Sequence, residues 1–223
     1  MDAVIFDMDG LLINTEPVWR DAERKVFAEI GLDLTEEDMT STMGVRIEDV
    51  VAHWRHLRPW AFGQYPRLTD RALADLIVDH LVTQVAHHGV PQPGVAHAFE
   101  VARELNVPVA IASSSPPRLI TAVCSRLGLE DIAVRCSASQ EARGKPSPDV
   151  YLTAARRLVV RPNRCVAIED SPNGVRSARA AGMRCIAVPD PLVAADPAFA
   201  QADAILPSLA DVDAACLGGQ ATG

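Results

Sequence analysis

The chain has 223 residues, 48% of them hydrophobic, which is enough to bury the core of one large domain or of a domain with a sizeable insertion. Its formal net charge of -8 argues against nucleic-acid binding, because proteins that bind phosphate backbones carry basic patches. The sequence has neither a basic leader followed by an apolar stretch nor an apolar run long enough to span a bilayer, so we expect a cytoplasmic protein with no membrane partner, by default a monomer. The five cysteines are scattered and never form a CxxC pair, which predicts reduced core thiols.

The first predicted element is a strand, the apolar run AVIF at residues 3–6. It ends in the acidic loop DMDG at residues 7–10. A short continuous apolar run of this kind is typical of a strand buried on both faces of a parallel sheet. The acidic loop therefore follows the carboxyl end of a central strand, where parallel sheets place their ligands.

Residues 14–88 carry helical patterns instead, with apolar side chains recurring at i, i+3, i+4 and i+7. The predicted helices cover residues 18–30, 46–57 and 69–81. The third is expected to bury one face, made of Leu73, Leu76, Ile77 and Leu81. The three tryptophans also fall in this stretch: Trp19, Trp54 and Trp60. We expect them to pack in its core, with a substrate-facing aromatic among them as the less favoured alternative.

After the turn-forming segment VPQPG at residues 90–94, predicted helices and strands alternate. The strands are expected at residues 107–112, 132–136, 165–168, 183–188 and 204–206. The helices are expected at residues 95–105, 116–127, 148–159, 172–181 and 209–215. This alternation predicts an α/β fold with a doubly wound, Rossmann-like parallel sheet. Residues 1–13 and 89–223 would form the core, and residues 14–88 a helical cap inserted after the first strand.

Four predicted strand-end loops carry polar residues, and they would meet at one edge of the sheet. They contain Asp7-Met8-Asp9-Gly10, Ser113-Ser114-Ser115, Gly144-Lys145-Pro146 and Glu169-Asp170-Ser171. Each motif alone is common and carries little weight, but their order and placement together indicate a phosphate site. Ser115 with Pro116, and Ser171 with Pro172, have the form of a helix N-cap followed by a proline at the first helical position.

Four carboxylates would crowd into this site: Asp7, Asp9, Glu169 and Asp170. Such crowding is unfavourable unless a cation compensates, and oxygen ligands without histidine or cysteine favour Mg²⁺. Lys145 would add positive charge against a phosphate and against Asp7. We therefore predict that Asp7 attacks phosphorus and that Asp9 works as general acid and base.

These motifs resemble those of the haloacid dehalogenase superfamily, across nearly the whole chain. FDMDGLLINTE resembles the first motif, IASSS the second, GKPSPDVY the third and IEDSPNG the fourth. The helical insertion is similar to the cap of the beta-phosphoglucomutase-like branch, and the sequence looks most like its hexitol and 2-deoxyglucose-6-phosphate phosphatases. The resemblance implies a phosphatase acting on a small sugar or sugar-alcohol phosphate.

The resemblance also implies a role for each motif residue. Asp7 would be the nucleophile and Asp9 the acid-base residue. The magnesium ligands would be Asp7, the Asp9 carbonyl and Asp170, with Glu169 assisting. Phosphate would be held by Ser113, Ser114 and Lys145 together with the loop of Asp7, Met8 and Asp9. Many relatives have aspartate where this chain has Asn14, which leaves the chemistry intact.

Two alternatives remain open from the sequence. The first is a phosphosugar mutase, which Trp19 disfavours because the mutase branch carries a cap histidine at that place. The second is a phospho-acceptor signalling domain that is not an enzyme, which the long segment after the first strand disfavours. Arg46, in the stretch GVRIED, is a candidate contact for phosphate or hydroxyl groups, or an exposed residue at a helix start.

Overall fold

A six-stranded parallel sheet lies at the centre of the protein. The computed structural model describes residues 1–63 and 68–218, without the side chain of Trp60. The strands are Ala3–Phe6 (β1), Val109–Ser113 (β2), Val134–Ser137 (β3), Cys165–Glu169 (β4), Arg184–Ala187 (β5) and Ala204–Ile205 (β6). Their order is β3-β2-β1-β4-β5-β6, and each predicted strand is confirmed within two residues at either end. The predicted doubly wound α/β fold is therefore confirmed.

The helices follow the predicted alternation, with differences in the stretch between β1 and β2. The helices of that stretch are Glu16–Glu29 (α1), Glu36–Ser41 (α2), Ile47–Leu57 (α3), Pro59–Gly63 (α4) and Asp70–His88 (α5). The α-helices from residue 95 onward are Val95–Glu104 (α6), Pro117–Leu127 (α7), Asp149–Leu158 (α8), Pro172–Ala180 (α9) and Ala214–Leu217 (α10). The short helices α2 and α4 were not predicted.

Three predictions about helices are wrong in detail. Helix α5 runs past the predicted end at residue 81, because the apolar face continues through the buried Val85. Leu76 does not belong to that buried face, since it is 48% exposed. The predicted C-terminal helix at residues 209–215 is instead a 3-10 turn at Leu209–Asp211 followed by α10, because the Asp213 carboxylate caps a new helix start.

The two faces of the sheet differ because side chains alternate along each strand. Val4 and Phe6 of β1 point to one face, where the ring of Phe6 stacks on Phe99 of α6 at 4.5 Å. Ala3 and Ile5 point to the other face, which packs against α8 and α9. Four of the five cysteines are buried and all are free thiols, as predicted.

The helical segment between β1 and β2 packs on the first of these faces. Buried residues of α1, α3 and α5 form one continuous hydrophobic cluster with Val4, Phe6 and residues of α6 and α7. The division into a core and a cap at residues 14–88 remains a prediction, since the two parts share this cluster. Within the residues described, every helix is too short or too polar to cross a bilayer.

Candidate active site

The predicted site residues meet at the carboxyl edge of the sheet, around β1 and β4. These two strands are neighbours, and the strand order reverses between them. Asp7 follows β1, and Asp170 follows β4. A sheet of this type opens a crevice at such a reversal point, where ligands bind. The acidic loops after β1 and β4 therefore lie at the point of the sheet where a ligand can bind.

Lys145 joins two of the carboxylates in a buried ion-pair cluster. Its Nζ donates to Asp7 Oδ1 at 2.5 Å and to Glu169 Oε1 at 2.6 Å. All three side chains are almost fully buried. Burial alone would lower the pKa of Lys145, but the charges of Asp7 and Glu169 outweigh it and raise that pKa above its ordinary value. Lys145 is therefore held as an ammonium ion beside Asp7.

Glu169 is saturated with hydrogen-bond donors. Its Oε1 accepts from Lys145 and, at 2.5 Å, from the hydroxyl of Tyr151. Its Oε2 accepts from the backbone amide of Asp170 at 3.2 Å and from the amide and hydroxyl of Ser171 at 3.5 and 3.3 Å. A Cβ on Gly174 would lie 1.9 Å from this carboxyl group, so glycine is required there. Glu169 thus acts as a fixed anchor for Lys145 and for the loop after β4.

Asp170 contrasts with Glu169 because its carboxylate is buried without partners. Among the residues described, neither Oδ1 nor Oδ2 of Asp170 has a hydrogen-bond donor. Burial raises the pKa of Asp170, and the nearby charges of Asp7 and Glu169 add to that rise. The pKa of Asp7 is likewise raised by burial, although Lys145 opposes the change. Buried carboxylates without donors are costly unless a cation compensates.

These features fit a divalent cation. Asp7, Glu169 and Asp170 can each offer one oxygen within 4.8 Å of the others. The donor set consists of hard carboxylate oxygens, which suits Mg²⁺. A Cβ at Gly10 would lie 2.0 Å from Asp170 Oδ2, so the glycine leaves the space in which that carboxylate stands. Of the predicted ligands, Asp9 contributes no side-chain oxygen to this group.

The carboxylate of Asp9 lies outside this group and accepts four hydrogen bonds. Oδ1 accepts from the hydroxyl of Thr15 at 2.9 Å and from the indole Nε1 of Trp19 at 3.2 Å. Oδ2 accepts from the hydroxyls of Ser113 at 3.0 Å and Ser115 at 2.7 Å. Asp9 is therefore held between the loop after β2 and the start of α1.

Two sequence predictions are corrected by these contacts. Ser115 is not an N-cap, because α7 begins one residue later than predicted, with Pro116 at the capping position and no side-chain cap. Freed from that role, the Ser115 hydroxyl binds Asp9. Trp19 does not serve only as core packing, since its indole also binds Asp9, whereas Trp54 is buried as predicted. By contrast, Ser171 caps α9 as expected, accepting from the amide of Gly174.

The remaining predicted phosphate contacts lie nearby in different settings. The Ser114 hydroxyl lines the cavity beside Asp7 and donates to the carbonyl of Gly44 at 2.8 Å. Ser113 is fully buried against Asp9. Met8 packs its side chain in the hydrophobic core, so only its backbone is left for a phosphate contact.

Arg46 stands at the start of α3, and its side chain is partly buried rather than exposed. Its guanidinium binds the carbonyls of Ala138 and Glu141, beyond β3, at 3.2 and 3.0 Å, and it pairs with Asp49. It therefore joins the start of α3 to the loop after β3.

A cavity of about 50 Å³ lies between the carboxyl edge of the sheet and the helical segment. This volume is below the roughly 300–1,000 Å³ of pockets that enclose a small ligand. Asp7, Asp9, Lys145 and Asp170 line one side. Glu16, Trp19, Arg20 and Glu23 of α1 line the other, and sequence reasoning identified neither glutamate as a site residue. The spacing of Glu16 and Glu23 along α1 could have shown that the two share a face of the helix. Only the folded structure shows that this face is turned toward the acidic loops.

Comparisons with known proteins agree with this architecture. Hexitol phosphatase B of Escherichia coli (strain K12) is 38% identical over 214 residues, covering 95% of this chain and 94% of that protein. A variant of CbbY from Rhodobacter sphaeroides, solved in complex with xylulose-(1,5)bisphosphate, has a TM-score of 0.87 at 28% identity, covering 97% of this chain and 99% of that one.

A beta-phosphoglucomutase from Clostridium difficile has a TM-score of 0.84 at 20% identity, covering 98% of this chain and 96% of that one. At this identity, the likeness to the beta-phosphoglucomutase shows the fold alone. The family model for haloacid dehalogenase-like hydrolases matches residues 1–182. Together with the phosphatase relative, this match confirms the predicted enzyme class, a phosphatase. The chain belongs to the haloacid dehalogenase-like hydrolase family.

Proposed function

We propose that the protein is a magnesium-dependent phosphatase that hydrolyses a small sugar or sugar-alcohol phosphate through an aspartyl-phosphate intermediate on Asp7. The observation that carries the proposal is the buried group of Asp7, Lys145 and Asp170, in which both oxygens of Asp170 lack a donor among the residues described. This group combines a nucleophile, a fixed positive charge and free oxygen ligands in one small volume. These are the parts that phosphoryl transfer through a carboxylate requires.

Asp7 and Asp170 would hold the magnesium ion through carboxylate oxygens, with the backbone carbonyl of Asp9 as a further ligand. Glu169 would support the site through Lys145 and the loop after β4, because protein donors already occupy both of its oxygens. When bound, magnesium neutralises the crowded carboxylates and polarises the phosphoryl group for attack.

In the first half-reaction, a carboxylate oxygen of Asp7 attacks phosphorus and the bond from phosphorus to the alcohol oxygen breaks. Asp9 gives a proton to the leaving alkoxide. Lys145 and the serine loop after β2 balance the negative charge of the phosphoryl oxygens. The first product is a sugar or sugar alcohol, which leaves the phosphoryl group on Asp7.

In the second half-reaction, water attacks the phosphorus of the intermediate while Asp9 accepts its proton. The bond between phosphorus and Asp7 then breaks, which releases inorganic phosphate and restores the Asp7 carboxylate. The donors around Asp9 support this role because they orient its carboxylate at the boundary between the sheet edge and α1. In this proposal residues 14–88 move as a cap to admit substrate and to exclude water during the reaction, and the small volume of the cavity supports such a motion.

The substrate class rests on the relatives. Hexitol phosphatase B and CbbY in complex with xylulose-(1,5)bisphosphate both associate this fold with phosphorylated carbohydrates or polyols. The mutase alternative draws on the likeness to a beta-phosphoglucomutase, which shows the fold alone. Trp19, which stands where the mutase branch carries a cap histidine, donates its indole N–H to Asp9. Hydrolysis is therefore the proposal that the observations favour.

Measurement of phosphate release tests this proposal. The purified protein is incubated with hexose, hexitol, pentose and glycerol phosphates, with magnesium or with a chelator. We expect release from sugar or sugar-alcohol phosphates that stops when magnesium is removed. Interconversion of sugar phosphates without phosphate release would replace the proposal with the mutase alternative, and equal release in the presence of the chelator would contradict the role of magnesium.

A further inference from the structure

The face of α1 that lines the cavity carries polar side chains at helical spacing. Glu16, Trp19, Arg20 and Glu23 stand at i, i+3, i+4 and i+7, so they form one stripe along the helix. This stripe lies opposite Asp7 and Lys145 across the same cavity. Trp19 binds Asp9, which places the near end of the stripe beside the reacting groups. The mechanism proposed above uses neither glutamate.

Glu23 is the most unusual member of the stripe. Its side chain is 7% exposed and lines the cavity, and no hydrogen bond to its carboxyl group is found among residues 1–63 and 68–218. Burial raises its pKa to about 8, and the nearby Glu16 adds to the rise. A buried carboxyl group without a partner costs free energy, and a ligand that supplies the partner would recover it.

Glu16 repeats this character closer to the reacting groups. Burial raises its pKa to about 7, the charges of Asp9 and Asp190 raise it further, and Arg20 opposes them. A carboxyl oxygen accepts a hydrogen bond from an alcohol hydroxyl in either protonation state. The two carboxyl groups on this wall of the cavity therefore match the hydroxyls of a polyol.

A second phosphate would fit this end of the cavity poorly. Arg20 is the only cation that the described residues place in the stripe, and its guanidinium lies 3.8 Å from Glu36. The other cation in the cavity lining, Lys145, is bound to Asp7 and Glu169. An anionic group beside Glu16 and Glu23 would therefore meet two carboxyl groups and no cation that is free of a carboxylate partner among the residues described.

We propose that Glu16 and Glu23 form a hydroxyl-binding subsite, which selects phosphomonoesters whose far end is an uncharged polyol and rejects bisphosphates. This inference rests on the proposed function, because it takes the phosphate end to lie at Asp7. Glu23 acts as a specificity-determining residue: its carboxyl group exchanges hydrogen bonds with hydroxyls of the substrate and takes no part in the chemistry.

Binding to the Asp7→Asn protein tests the subsite without turnover. Glucitol 6-phosphate, glucitol 1,6-bisphosphate and ethyl phosphate are titrated by calorimetry in the presence of magnesium. Adding Glu23→Leu is expected to weaken binding of glucitol 6-phosphate about 10-fold to 100-fold. Adding Glu23→Gln, which keeps both hydrogen-bonding capacities, is expected to preserve it. Ethyl phosphate has no alcohol hydroxyl that could bind Glu23, so Glu23→Leu should leave its affinity unchanged.

Glu29→Leu provides a matched control, because Glu29 is exposed on the same helix and lies outside the cavity lining. It should leave all three affinities unchanged. The bisphosphate should bind at least about 100-fold more weakly than the monophosphate. Equal affinity for the two, or an equal loss for glucitol 6-phosphate and ethyl phosphate in Glu23→Leu, would overturn the inference.

Failure of the proposed function would look different. In that case the wild-type protein would release phosphate from no ester, ethyl phosphate included, whereas the binding pattern of the Glu23 variants would still decide for or against the subsite.

Discussion

At the scale of single residues, the ammonium group of Lys145 offsets two buried carboxylates. It stands between Asp7 and Glu169, and all three are almost fully buried. The raised pKa of Lys145 means that this contribution to stability is fully present at neutral pH and is lost only as the pH rises through the folded-state value. Without the ammonium ion, two carboxyl groups would remain in the protein interior without compensation.

We therefore expect Lys145→Met to lower the free energy of unfolding by about 3–5 kcal/mol at pH 7 in the absence of divalent cations. Urea denaturation in the presence of a chelator measures the change. Lys25→Met is the control, because Lys25 forms an exposed pair with Asp21 and its loss should cost less than about 1 kcal/mol. Equal losses for the two variants would show that the buried pair contributes nothing special to stability.

The contacts of Asp9 show which part of the site the sequence could not predict. Motif order identified Asp9 as a site residue, and β1 places it at the sheet edge. Its donors come from two separate parts of the chain, the start of α1 with Thr15 and Trp19 and the serine run at the end of β2. A serine before a proline looks like an N-cap in isolation. Only the packing of α1 against the loop after β2 shows that Ser115 binds Asp9 instead.

At the scale of secondary structure, α1 carries two buried carboxyl groups on its inner face. The pKa of Glu23 rises from 4.5 to about 8 on folding because the group is buried. In the unfolded chain Glu23 therefore ionises at lower pH than in the folded protein. Between pH 4.5 and pH 8 the folded state binds more protons, so this group makes the protein less stable as the pH rises.

Glu23→Gln should remove this dependence, since glutamine does not ionise. Relative to the wild type, we expect the variant to gain about 1–4 kcal/mol of unfolding free energy between pH 5 and pH 8. Denaturation at a series of pH values provides the measurement. A difference between Glu23→Gln and the wild type that stays flat over this range would mean that Glu23 is not buried in solution.

Strands and long helices were the elements that local pattern predicted best. Short apolar runs located the central strands β1, β2 and β4, because strands buried on both faces need apolar side chains at nearly every position. Helices α2 and α4 have six and five residues, too few for a periodic pattern to emerge. Helix α2 does carry a capping box between Thr35 and Asp38, a local signal that could have located its start.

At the scale of the whole molecule, the site exists because two distant parts of the chain meet. The sheet edge supplies Asp7, Lys145 and Asp170, and α1 closes the cavity above them. Contacts from Ser114 to Gly44, from Arg46 to the loop after β3 and from Asn173 to Met43 join the helical segment to the sheet edge. Sequence order predicted the insertion, but these bridging contacts depend on tertiary packing.

If Asp7 carries the phosphoryl group, trapping of the intermediate will reveal it directly. The protein is mixed with magnesium and glucitol 6-phosphate, quenched in acid within milliseconds, and digested for mass spectrometry. We expect one phosphoryl group on the peptide that contains Asp7, and its absence from Asp7→Asn protein, whose turnover should fall on the order of 10⁴-fold or more. Wild-type turnover by Asp7→Asn protein, or a phosphoryl group trapped on another residue, would contradict this role of Asp7.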